Sequence, residues 1–151
     1  MIALLLALQV APAPSAPPSS PPTVAAATPT LGAIGRQELP ASGCAAFLWS
    51  AAGDRTLVAM AGATPARLRL AIDGQAPADL AWTAGEGAAV LGLSPRGIYQ
   101  AGSVTATLDL TVVQRADMAA GAVVPQGALT IEIPGRDTLV LPLAGLVGCR
   151  T

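Results

Sequence analysis

The sequence predicts an all-β domain, an antiparallel β-sandwich or small barrel of about seven or eight short strands, preceded by a disordered proline-rich arm. Three observations carry that expectation. Apolar residues alternate with polar ones at period two in several segments. Turn signals recur at intervals of about 8–12 residues, and the folded part shows no convincing helical period.

The clearest strand is "SVTATLDLTVVQ", in which Val104, Ala106, Leu108, Leu110 and Val112 alternate with Ser103, Thr105, Thr107, Asp109 and Thr111. "ARLRLAI" repeats the device, with Leu68, Leu70 and Ile72 inward and Arg67 and Arg69 outward. Near the C-terminus, Leu129, Ile131 and Ile133 share one face, as do Leu139, Leu141 and Leu143. Between these runs Pro134-Gly135 supplies a fixed φ and then a permissive one, as the centre of a type II turn requires, so a hairpin is expected. Pro142 cannot donate to a ladder and is expected at an edge or bulge. Asp73-Gly74 is a second hairpin signal. Further strands are expected over 44–50 and 55–61, with weaker ones near 80–82 and 88–93. The 55–61 segment is apolar on both faces, which calls for a covered position or a surface for self-association. The stretch around Ala116–Ala120 reads as a connection.

The preceding residues read as delivery. "MIALLLALQV" is too short to span a bilayer but fits the apolar core of a secretory signal, which predicts a signal peptide over 1–13, with cleavage as late as 27 as the alternative. "APAPSAPPSSPPTVAAATPT" holds seven of the fourteen prolines and no charge. Such a stretch is extended and poor at packing, so 14–34 is expected to be a disordered linker and 35–151 the β-domain. No membrane span is expected in the mature protein.

Two cysteines, Cys44 and Cys149, fall near the two ends of that domain. A lipid-anchor box would have to follow the signal directly, and Cys44 lies far beyond it. Zinc or iron sites need three or four ligands, and the sequence has no histidine. A cysteine nucleophile usually needs a histidine or a helix N-terminus beside it. An exported protein with one pair of cysteines is expected to join them, which closes a ring of about 100 residues, a stabilisation of about 4–5 kcal/mol.

Composition removes several function classes. All eight cationic residues are arginines, scattered along the sequence, and the net charge is −1, which leaves no basic patch for nucleic acid. Without histidine or lysine, Ser-His-Asp and Ser-Lys hydrolysis are closed. Acids such as Asp54 and Asp73 sit in turn sequences, and Asp109 and Glu132 occupy outward strand positions, so they read as solvated. No glycine loop opens a helix, and no calcium-loop cluster appears, so neither a cofactor nor a metal is expected. The reading is an exported non-catalytic β-domain, periplasmic or secreted, from a GC-rich bacterial genome. It would act as a binding or structural accessory for an unknown envelope protein or for a second copy. The alternative is an atypical carboxylate-dependent hydrolase. "LGLSPRGIYQAG", carrying Arg96 and Tyr99, is the candidate recognition loop. Trp82 and Tyr99 are the aromatics in loop-like context that stacking on carbohydrate would use, while Phe47 and Trp49 read as core filling.

Overall fold

A computed structural model describes residues 26–150. The signal-peptide reading and the first part of the linker fall outside these described residues. The described part is all-β. Its strands are β1 (Leu31–Gly32), β2 (Gly43–Ser50), β3 (Leu57–Ala63), β4 (Ala66–Ile72), β5 (Ala78–Glu86), β6 (Arg96–Ala101), β7 (Val104–Val113), β8 (Gly121–Glu132) and β9 (Leu139–Arg150). They pair antiparallel in the order β1-β4-β3-β2-β9-β8-β7-β6-β5, and β4 also pairs with β5. Eight strands therefore close into a barrel with β1 as an extra strand on β4, which resolves the choice between sandwich and barrel. Closure removes most of the exposed sheet edge that an open sheet would carry.

The predicted alternation sets the inward face. On β7, Ala106, Leu108 and Leu110 are buried, and on β4 Leu68 and Leu70 are buried. Leu48, Leu68, Leu108, Leu129, Ile131 and Leu143 are each at most 1% exposed. Burying a leucine of this kind stabilises the fold by about 1.5–3 kcal/mol. The lumen is thus packed with side chains, as barrels of this strand number generally are. Small residues let it close: a Cβ on Gly97 would fall 2.9 Å from the ring of Tyr99, so the aromatic lies directly over the glycine.

Turn chemistry follows the sequence. Arg136 N–H donates to the Ile133 carbonyl at 3.0 Å, and Gly135 has φ 76°, which makes Pro134-Gly135 the type II turn expected. Gln75 N–H donates to Ile72 in the same way, with Asp73 and Gly74 both at positive φ. Pro142 lies within β9 opposite Ala128. Its carbonyl accepts from Ala51 N–H, one residue past the end of β2, so it sits inside a central strand at the point where the β2 ladder stops rather than at the edge or bulge expected.

Two further expectations need correction. Residues 88–93 form a loop with a single bridge, Val90 to Leu93, rather than a strand, because Leu91 and Gly92 both take positive φ. Residues 26–34, assigned to the linker from composition, are fitted to the barrel. Pro29 is buried, Leu31 and Gly32 pair with Ile72 and Ala71, and Ile34 is 4% exposed.

The barrel has two differently closed ends. At one, Cys44 and Cys149 are direct cross-strand partners of β2 and β9, and the 87–95 loop folds in so that Leu93 is 3% exposed. At the other, Asp73 joins three segments. It accepts from Thr30 N–H at 2.9 Å and from the guanidinium of Arg136, whose Nε donates to the Ala27 carbonyl at 3.1 Å. Arg136 first, and then the Thr30 amide, hold the Asp73 carboxyl well below the usual carboxylate range.

Candidate functional site

The outer surface differs around the circumference. On β4 to β7 it is charged: Arg69 Nε donates to Asp79 Oδ1 at 2.7 Å, and Arg96 Nη1 to Asp109 Oδ1 at 2.9 Å. Hydrogen bonding to Arg69 lowers the Asp79 pKa and raises that of Arg69. Where β2, β8 and β9 meet, the outer surface is apolar over the middle of the strands. Register places Val113, Val123, Leu146, Phe47 and Met60 in one row across β7, β8, β9, β2 and β3. Leu146 is 48% exposed and Val113 42%.

Beside this row, Trp49, Ser50, Ala51, Arg55, Ala144, Gly145 and Leu146 line an open depression of 560 Å³. Trp49 and Ala144 are cross-strand partners, as are Phe47 and Leu146 one step further along. Gly145 permits the close approach of β2 and β9 beneath the depression, since a Cβ there would stand 2.1 Å from the Phe47 carbonyl oxygen. The hairpin joining β2 to β3 supplies the only charged lining residue, Arg55. Ser50 N–H closes that hairpin on the Thr56 carbonyl at 3.0 Å, and Arg55 takes the left-handed conformation, φ 51°. Among the described residues, Arg67, Arg69, Arg96, Arg115 and Arg136 form ion pairs and Arg55 forms none.

The residues singled out in the sequence are distributed as follows. Cys44 and Cys149 are joined, with an S–S distance of 2.04 Å, and lie 105 residues apart. Arg96 and Tyr99 are on β6 rather than in a loop, so "LGLSPRGIYQAG" is a loop only over its first part. Arg96 is occupied by Asp109, and Tyr99 is 5% exposed, its hydroxyl pKa raised by desolvation. Trp82 lies on β5 and is 44% exposed. Among the described residues no group of three potential metal ligands is brought together. Phe47 and Trp49, read as core from sequence, alternate with the inward Ala46 and Leu48 and are only half-buried on the outer face. Both faces of β2 are apolar, so period two alone could not tell which parity pointed in. The signal that would have found them is the pair of bulky aromatics at one parity against the smaller Cys44, Ala46, Leu48 and Ser50 at the other.

A scan of protein-family models, a search of curated proteins and a search of solved structures find no match to this sequence or fold.

Proposed function

We propose that the protein is an exported, non-catalytic β-barrel that works by binding a partner in the periplasm or cell envelope through the outer face of β2 and β9. The observation that carries this reading is the solvent-exposed depression formed by Trp49, Leu146 and Arg55 on a barrel whose interior is already filled. Buried side chains fill the lumen, and the smaller apolar space of about 300 Å³ lined by Leu70, Leu80, Val104 and Ile133 is open beside the Asp73 turn, which directs binding to the outside. Apolar residues clustered at a surface, rimmed by polar ones, mark interaction sites. The disulfide supports an oxidising compartment. Charges on the outside of β4 to β7, over an apolar interior, are the reverse of the arrangement in a membrane-spanning barrel. No helix among the described residues is long and apolar enough to cross a membrane.

The test is site-specific photo-crosslinking in the producing cell. A photoreactive amino acid at Ala144, on the floor of the depression, is expected to give a discrete crosslinked species in the extracytoplasmic fraction. The same group at Gln100, exposed on β6 across the barrel, is expected to give none. Equal crosslinking from both positions, or none from Ala144, overturns the reading.

A further inference from the structure

We propose that this outer depression takes the C-terminal end of a partner protein, an extended segment with apolar side chains that stops on a free carboxylate. The inference rests on the binding role proposed above and names what is bound.

The shape argues for a segment of protein. The depression is open, whereas sites for small molecules usually enclose most of the ligand surface. It also continues into an apolar strip along β2 and β9, so the contact extends past what a small ligand covers. That strip has two ends. At one stands Arg55; then come Trp49 with Ala144 and Phe47 with Leu146. At the other end Leu39 covers Gly148, where an added Cβ would sit 2.6 Å from the Leu39 Cδ2. From Trp49 to Ala45, the partner of Gly148, is four strand positions, about 13 Å, which accommodates roughly four residues of extended peptide.

Charge and strain specify the terminus. Arg55 is the single charged residue lining the depression, has no ion-pair partner among the described residues, and stands where the strip ends on the β2 side, in the hairpin that follows that strand. A complementary segment is therefore apolar along its length with its negative charge at the end. The C-terminus of a polypeptide has that form, and a guanidinium can hold its two oxygens with two parallel hydrogen bonds. Arg55 also occupies a left-handed backbone position that glycine or asparagine would fill at lower cost. Retaining an arginine under backbone strain at the rim of an apolar depression is the combination expected where a side chain is kept for contact rather than for stability. Tryptophan and arginine are also the side chains that dominate binding energy at protein interfaces.

The experiment uses the disulfide-bonded protein carrying Trp82→Phe, so that Trp49 is the sole tryptophan and its fluorescence reports on the depression. The probe is an acetylated tetrapeptide of two alanines, leucine and phenylalanine with a free C-terminal carboxylate. A saturable change in Trp49 emission is expected, with the C-terminal amide of the same peptide binding about tenfold more weakly. Arg55→Asn, which keeps a residue tolerant of the left-handed conformation, is expected to abolish the difference between acid and amide while leaving the melting temperature unchanged or higher. Equal binding of acid and amide overturns the proposal, and so does full acid-over-amide preference in Arg55→Asn. A peptide with an internal glutamate and an amidated end that matches the free acid overturns the terminus in favour of an acidic side chain. Tighter binding of dodecanoate than of the peptide overturns it in favour of a lipid. Failure of every probe, alongside positive crosslinking from Ala144, overturns the ligand class and leaves the binding role standing.

Discussion

At one end of the barrel a covalent bond between Cys44 and Cys149 joins β2 to β9, while at the other Asp73, Arg136 and Thr30 hold two turns and the incoming N-terminal segment together by polar contacts. The two closures act on different states. A disulfide across 105 residues restricts chiefly the unfolded polypeptide, and its contribution grows with the length of the loop it closes. The polar clasp acts only on the folded state, and its members are partly exposed, so water and salt compete with it. The cystine end is reinforced by an apolar plug, Leu93, whereas the clasp end depends on the charge state of one carboxylate. Covalent closure should therefore be large and insensitive to acid, and the clasp small and acid-sensitive.

Removing the covalent bond should have the largest effect. Cys149→Ser is expected to lose about 4–5 kcal/mol of unfolding free energy in denaturant titration and to abolish the faster migration of the native protein on non-reducing gels. A loss below about 1 kcal/mol would erase the asymmetry between the ends. Next comes the plug: Leu93→Ala, with the disulfide intact, is expected to cost about 2–5 kcal/mol, because the cavity left behind adds to the lost burial. A neutral result would mean that the 87–95 loop merely rests on the barrel.

The smallest effect is expected at the clasp, and pH separates it from the others. Because the folded pKa of Asp73 lies below its ordinary value of 3.8, its stabilising contribution is complete above that pH. It is lost progressively as pH falls toward the folded value. Asp73→Asn should therefore melt below the parent at neutral pH, with the gap narrowing below pH 3.8. The Leu93→Ala gap should not narrow. A constant Asp73→Asn gap down to strongly acid pH would show that the carboxylate charge contributes nothing.

The parts of the fold legible in the sequence are those where the two faces of a strand differ chemically. Thr105, Thr107 and Asp109 against Ala106, Leu108 and Leu110 fix the parity of β7, and Arg67 and Arg69 fix that of β4. Turns are legible where φ itself is written into the residue, as in Pro134-Gly135 and Asp73-Gly74. The strand parity of β2 is not, since Ala45, Ala46, Phe47, Leu48 and Trp49 offer apolar groups on both sides. The same ambiguity conceals the candidate site, which consists of outward aromatics that read as core. Arg55 carries no local mark either: its importance comes from being brought beside Ala144 and Leu146, which are far away in the sequence. Composition misleads at 26–34, where Pro29 is used for packing and Thr30 for its backbone amide, roles that residue frequencies do not register.

The place of β9 between β2 and β8 has a consequence for how the protein is made. Both neighbours are synthesised earlier, and each keeps one side of its backbone unsatisfied until this strand arrives. Vectorial emergence from a ribosome or translocation pore therefore cannot complete the cylinder piecemeal. Its keystone is the last barrel strand to appear, and the oxidation of Cys149 must follow it.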